Sequence, residues 1–137
     1  MATEILVNDG GAPARIMNLA LAGADLTAGL VVDINASGKI IAAADDQTGG
    51  TSKAQAVALG VLLVDAADGD PTSIVTGKGI VCNVQSVSGL TVGEELVVDD
   101  AGKLEHSANL ETDRIFAIAL DSTFSADSLN YTKVLII

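Results

Sequence analysis

At 137 residues the chain is long enough for one domain with a core of its own. Eighteen Asp and Glu against seven Lys and Arg give a net charge of −11, a surface that repels a nucleic-acid phosphate backbone. Two Phe and one Tyr are the whole aromatic set, too few for a stacking platform, where each stacked base is worth about 1–3 kcal/mol.

Hydrophobic residues make up 49% of the chain, and many are Val, Ile, Leu and Ala in short runs, a pattern of strands. The acidic balance serves solubility or pairs with a basic partner surface. The lone cysteine, Cys82, cannot form an internal disulfide, so this is not a stapled secreted scaffold. The first residues, MATEILVNDGG, lack the basic-then-apolar order of a signal peptide. No run reaches the about 18 apolar residues of a membrane span. The chain is expected to stay in the cytoplasm unless it leaves within a larger particle.

Residues 1–13 read as an extended arm. Residues 3–7 form a short strand that Asn8-Asp9-Gly10-Gly11 and Pro13 then break. Such an arm either packs on its own domain or reaches a neighbour. Residues 14–21 are apolar enough for a buried strand, and 22–29 form a turn region. A strand over 30–35, a hairpin tip at Asn35-Ala36-Ser37-Gly38 and a return over 39–44 follow. DDQTGGTS, 45–52, is an exposed loop. A strand from about Val57 to Val64 leads into a tight turn, DAADGDP, and a short strand over 73–76.

The second half repeats this order. Strands are expected over 80–84, 96–98 and 103–106, with a hairpin tip at 99–102. Residues 107–113 are a polar loop and 114–120 the clearest buried strand. Residues 121–131 read as a loop with a helical turn around 125–129. The chain ends on VLII, a strand that must be covered, since an exposed one would be an aggregation edge.

LTAGLVVDINASGKI, 26–40, and LTVGEELVVDDAGKL, 90–104, lie 64 residues apart without a gap. At that offset Ile16 meets Ile80, Thr27 meets Thr91, Gly29 meets Gly93, Gly38 meets Gly102 and Lys39 meets Lys103. A further echo, at another spacing, joins 59–63 to 116–120. The reading is an all-β fold, a small β-barrel or β-sandwich. A single domain over 14–137 is built from two related hairpin units, 14–76 and 77–137, behind the arm 1–13.

Residues that could carry chemistry are few. His106 is the only histidine, and its neighbours Glu105 and Ser107 suggest a strand end in water. Asp65, Asp68 and Asp70 miss the EF-hand spacing. The adjacent pairs Asp45-Asp46 and Asp99-Asp100 diverge in extended chain. Gly77-Lys78-Gly79 lacks the Walker spacing. No catalytic residue, cofactor site or metal site is expected, and the chain is read as no enzyme.

The segments ALGVLLVDAADGD, LTVGEELVVDDAGKL and RIFAIALDS, closed by KVLII, resemble the capsid cement (head decoration) proteins of tailed bacteriophages. The resemblance spans 57–137; the first half departs from it by carrying its own hairpin copy. It implies a small β protein, a homotrimer, bound outside the icosahedral head and bridging subunits of the major capsid protein lattice. Another virion part, a head fibre base or tail adaptor, has the same β economy. Location on the outer capsid surface follows, with synthesis in the host cytoplasm and no nucleic-acid or membrane partner. In this reading the arm residues Thr3, Glu4, Ile5, Leu6 and Val7 touch the capsid, as a strand added to a capsid sheet edge.

Overall fold

The computed structural model describes residues 4–8, 14–18, 20–43, 58–99, 101–107, 115–126 and 128–137. These hold twelve strands and no helix: β1 (Leu6–Asn8), β2 (Arg15–Met17), β3 (Val31–Ile34), β4 (Ile40–Ala42), β5 (Gly60–Leu62), β6 (Ile74–Thr76), β7 (Val81–Gln85), β8 (Glu95–Val98), β9 (Leu104–His106), β10 (Ala117–Ala119), β11 (Phe124–Ala126) and β12 (Leu129–Ile136).

They form two antiparallel sheets of the same design. The five-stranded sheet has the order β2-β6-β5-β3-β4. The seven-stranded sheet contains β7-β12-β10-β8-β9 in the matching places, with β1 added outside β7 and β11 paired to β12. Backbone hydrogen bonds repeat as well. Gly23 N donates to Ile40 O, and Val87 N to Leu104 O. Gly29 N donates to Leu62 O, and Gly93 N to Ala119 O. Isolated parallel bridges join Ala22 to Ile40 and Ser86 to Leu104. The fold is an internal duplication, sandwich-like, and neither sheet is a closed barrel.

Alternation along the strands divides the core, because successive side chains leave a strand on opposite faces. Val32, Leu62 and Ile74, with Ile40, face Ala22, Leu26, Leu30 and Ala66, a core private to the first unit. Val31, Val61 and Val75 point the other way, into a second core with Cys82, Val84, Leu96, Leu104, Ala119 and Val134. Each fully buried aliphatic side chain contributes about 1.5–3 kcal/mol. The second core is what joins the two units.

Several sequence expectations need correction. Residues 14–21 do not make a buried strand. Among the described residues there only β2 forms, at the sheet edge, and Ile16 is 58% exposed. Residues 124–126 and 129–131 are not a helical turn but a tight hairpin pairing Phe124 with Tyr131, with Ser128 at φ 66°. Ser125 Oγ bonds Asn130 Oδ1 across it at 3.0 Å. The first strand runs Leu6–Asn8, so Asn8 continues it instead of breaking it. The partner of Ile16 in the duplicated pairing is Val81, one residue past Ile80: Ile16 pairs with Val75 as Val81 pairs with Leu135. The loop 45–52 and the stretches 53–57 and 108–114 lie outside the described residues. The C-terminal strand β12 is covered as required, flanked by β7 and β10.

Candidate functional site

Within the arm, Leu6–Asn8 forms the outer strand of the chain's own sheet. β1 pairs with β7, with Leu6 opposite Cys82. Asn83 N donates to Ile5 O at 2.8 Å, and Asn83 Nδ2 to Glu4 O at 2.7 Å. Ile5 is buried in the shared core, and Leu6 is half-buried against it. Glu4 and Val7 are exposed. Thr3 lies outside the described residues. One side of β1 is therefore taken up by β7, and its other side is the end of the sheet.

Of the polar residues weighed for chemistry, Asp65 and Asp70 accept backbone hydrogen bonds, while Asp45, Asp46 and Asp100 lie outside the described residues. Asp65 Oδ1 accepts from Ala28 N at 2.7 Å and holds the 27–29 turn. Asp70 Oδ2 accepts from Ala67 N at 3.2 Å within its own turn, and Asp68 N donates to Asp25 Oδ1 at 2.9 Å. The Asp70 bond is a local turn bond of the kind short polar side chains make with nearby backbone, whereas those of Asp65 and Asp25 tie the 25–29 and 65–70 segments together. Cys82 is buried, and burial pushes its thiol up to about 11, the opposite of an activated nucleophile. His106 is exposed at the end of β9. Among the described residues no group of His, Cys, Asp and Glu is arranged to hold a metal ion.

The most elaborate polar contact joins the two units, and sequence reading missed it. Gln85, buried, donates from Nε2 to Thr27 Oγ1 at 2.6 Å and to Ala28 O at 2.9 Å. Its backbone N donates to Gly29 O at 2.8 Å. A Cβ on Gly29 would stand 2.7 Å from the Tyr131 ring, so only glycine fits there. The signal was a glutamine inside the apolar run VCNVQSV, where a long amide needs buried partners. A second contact sits at the far hairpin: Val31 N donates to Gly102 O at 2.9 Å. Gly102 is packed so closely on the first unit that a Cβ would meet Val31 O at 2.7 Å.

Apolar side chains also stand in solvent. Val92 at the 91–93 turn is 64% exposed, and Leu21 is 47% exposed. Leu21 and Pro71 pair across a bridge beside an open cavity of about 270 Å³, lined by Asn18, Ala20, Leu21, Pro71 and Thr72. Thr72 Oγ1 donates to Ala20 O at 2.7 Å, so this hollow presents mainly carbon. A shallow apolar hollow of this kind suits a protein side chain better than a reacting substrate, which needs convergent polar groups.

No protein-family model and no curated protein matches the chain. Among solved structures it is similar to the crystal structure of the head fibre gp8.5 N base of bacteriophage phi29, at 17% sequence identity. The match covers 91% of this chain and 95% of that one, with a TM-score of 0.65. The two chains share a fold over nearly their whole lengths.

Proposed function

We propose that the chain is a non-enzymatic structural protein of a phage virion that decorates the outside of the head and bridges subunits of the major capsid protein. The observation that carries this reading is the fold shared with a phage head fibre base across 91% of the chain. The side-chain inventory supports it. Polar groups hold turns and the joint between units, while apolar residues such as Val92 and Leu21 are left exposed. A decoration protein binds the assembled lattice and not the free subunit, so mass action stabilises the closed shell. A trimer that touches several capsid subunits gains avidity, because later contacts become intramolecular. The free side of β1, with exposed Glu4 and Val7, is the edge offered to a capsid strand.

A second reading, the base of a head fibre, is favoured by the name of the structural neighbour. Heat release of DNA separates the two. Purified chain is added to heads of the phage that encodes it, and the release temperature is compared with bare heads. A clamp raises that temperature. A fibre base binds the heads and leaves it unchanged. Failure to bind any head overturns both readings.

A further inference from the structure

The duplication leaves each unit with contact surfaces that only the other unit uses. The 27–29 turn of the first unit seats on Gln85 and Tyr131 of the second. The counterpart of this turn is 91–93, where Ala28 becomes Val92, and a Cβ on Gly93 would meet nothing within 4 Å. The counterparts of the paired Gln85 and Tyr131 are the paired Leu21 and Pro71, exposed beside the apolar hollow. The far hairpins show the same imbalance. The Gly102 tip sits on Val31 and Ala42, whereas a Cβ on Gly38 would meet nothing within 4 Å. Glu95 and His106, the counterparts of Val31 and Ala42, are exposed. The 91–93 turn and the Glu95–His106 surface lack what a further first unit would supply, and the Leu21–Pro71 hollow and the Gly38 tip lack what a preceding second unit would supply.

We propose that two copies of this chain associate head to tail, the 91–93 turn of one seating on the Leu21–Pro71 hollow of the next, in the manner of the contact between units within one chain. The chemistry matches at both points. Val92 is an apolar knob for a hollow of Ala20, Leu21 and Pro71. At the second point the Gly38 tip of the next copy brings exposed Lys39 toward exposed Glu95. Those two positions hold Lys103 and Val31 in the intrachain contact, so a charge pair appears only in the contact between copies. Such a contact is heterologous. It continues from copy to copy until the rotation between units closes a ring, or runs on as a filament. The inference rests on the duplication and does not depend on binding to a capsid.

Sedimentation velocity of the purified full chain tests it. The wild type should sediment as an oligomer. Val92→Glu and Leu21→Glu, both at exposed positions, should each sediment as a folded monomer with an unchanged β circular dichroism spectrum. An equimolar mixture of the two should give a species of two chains and nothing larger, because only one intact turn and one intact hollow remain. Independently, Lys39→Glu should weaken association, and adding Glu95→Lys to it should restore the wild-type mass. A wild type that stays monomeric at high micromolar concentration overturns the proposal. So do variants that keep the wild-type mass, and a mixture that stays monomeric.

Discussion

Asn35 and Asp99, 64 residues apart, cap the same turn. Asn35 Oδ1 accepts from Ser37 N at 2.9 Å and Lys39 N at 3.0 Å. Asp99 Oδ1 accepts from Ala101 N at 2.8 Å and Lys103 N at 3.0 Å. An amide oxygen and a carboxylate oxygen thus answer one backbone demand, two N–H groups converging at a hairpin tip. Replacing either residue with Ala should cost about 1 kcal/mol in urea denaturation, the net value of such bonds. Asp99→Asn should cost little, because the first unit already makes the turn with an amide.

The two tip glycines separate backbone strain from contact between units. Gly38 and Gly102 share a left-handed backbone, φ 77° and 76°. Alanine at Gly38 meets open space and should cost about 1 kcal/mol for the conformation alone. Alanine at Gly102 adds a Cβ at 2.7 Å from Val31 O and should cost at least about 2 kcal/mol more, since overpacking against backbone cannot be relieved by a rotamer. Equal losses in thermal unfolding would mean that the units do not touch there.

Gln85→Leu should destabilise by about 2 kcal/mol, because Ala28 O and the Thr27 hydroxyl lose a buried partner. Gln85→Glu should be worse at neutral pH, where a carboxylate would face the Ala28 carbonyl and can donate nothing to it. Protonation turns that carboxyl into a donor, so its pKa is raised in the folded state. The stability of this variant is then retained below the carboxyl's unfolded pKa and lost as pH rises through the folded one. Chemical denaturation of both variants across the acid range reads this slope.

Cys82 should make stability fall in alkali. Burial raises the thiol from 9.0 to about 11, so the folded state favours the neutral form. The contribution is complete below pH 9.0 and lost as pH rises toward about 11. The difference in unfolding free energy between the wild type and Cys82→Ala should be flat up to pH 9.0 and shift against the wild type above it. A thiol reagent should react with native protein only as fast as the protein opens.

What could be read from the sequence was what the backbone dictates locally. Gly29 and Gly93 have φ of 92° and 88°, and the tips with Asn35 and Asp99 need the same acceptor, so both motifs survived duplication at one spacing. Beyond the tips the spacing changes. The chain between β4 and β5 is seven residues longer than that between β9 and β10, and Leu62 answers to Ala119 at an offset of 57. The echo between 59–63 and 116–120 was legible in the sequence at this same offset. The β11 hairpin was missed because it turns on Ser128, a residue without glycine's freedom, at φ 66°. Ile16 was read as buried because it is apolar, yet an edge strand leaves it in solvent. The joint between units was hidden for a different reason. Gln85, Tyr131 and the 27–29 turn are brought together only by tertiary packing.

The most direct measurement of the account is co-sedimentation of the purified chain with assembled phage heads and, separately, with unassembled major capsid protein. A head decoration protein pellets with assembled heads at saturating stoichiometry and leaves free subunits in the supernatant. Equal binding to both, or to neither, would contradict it.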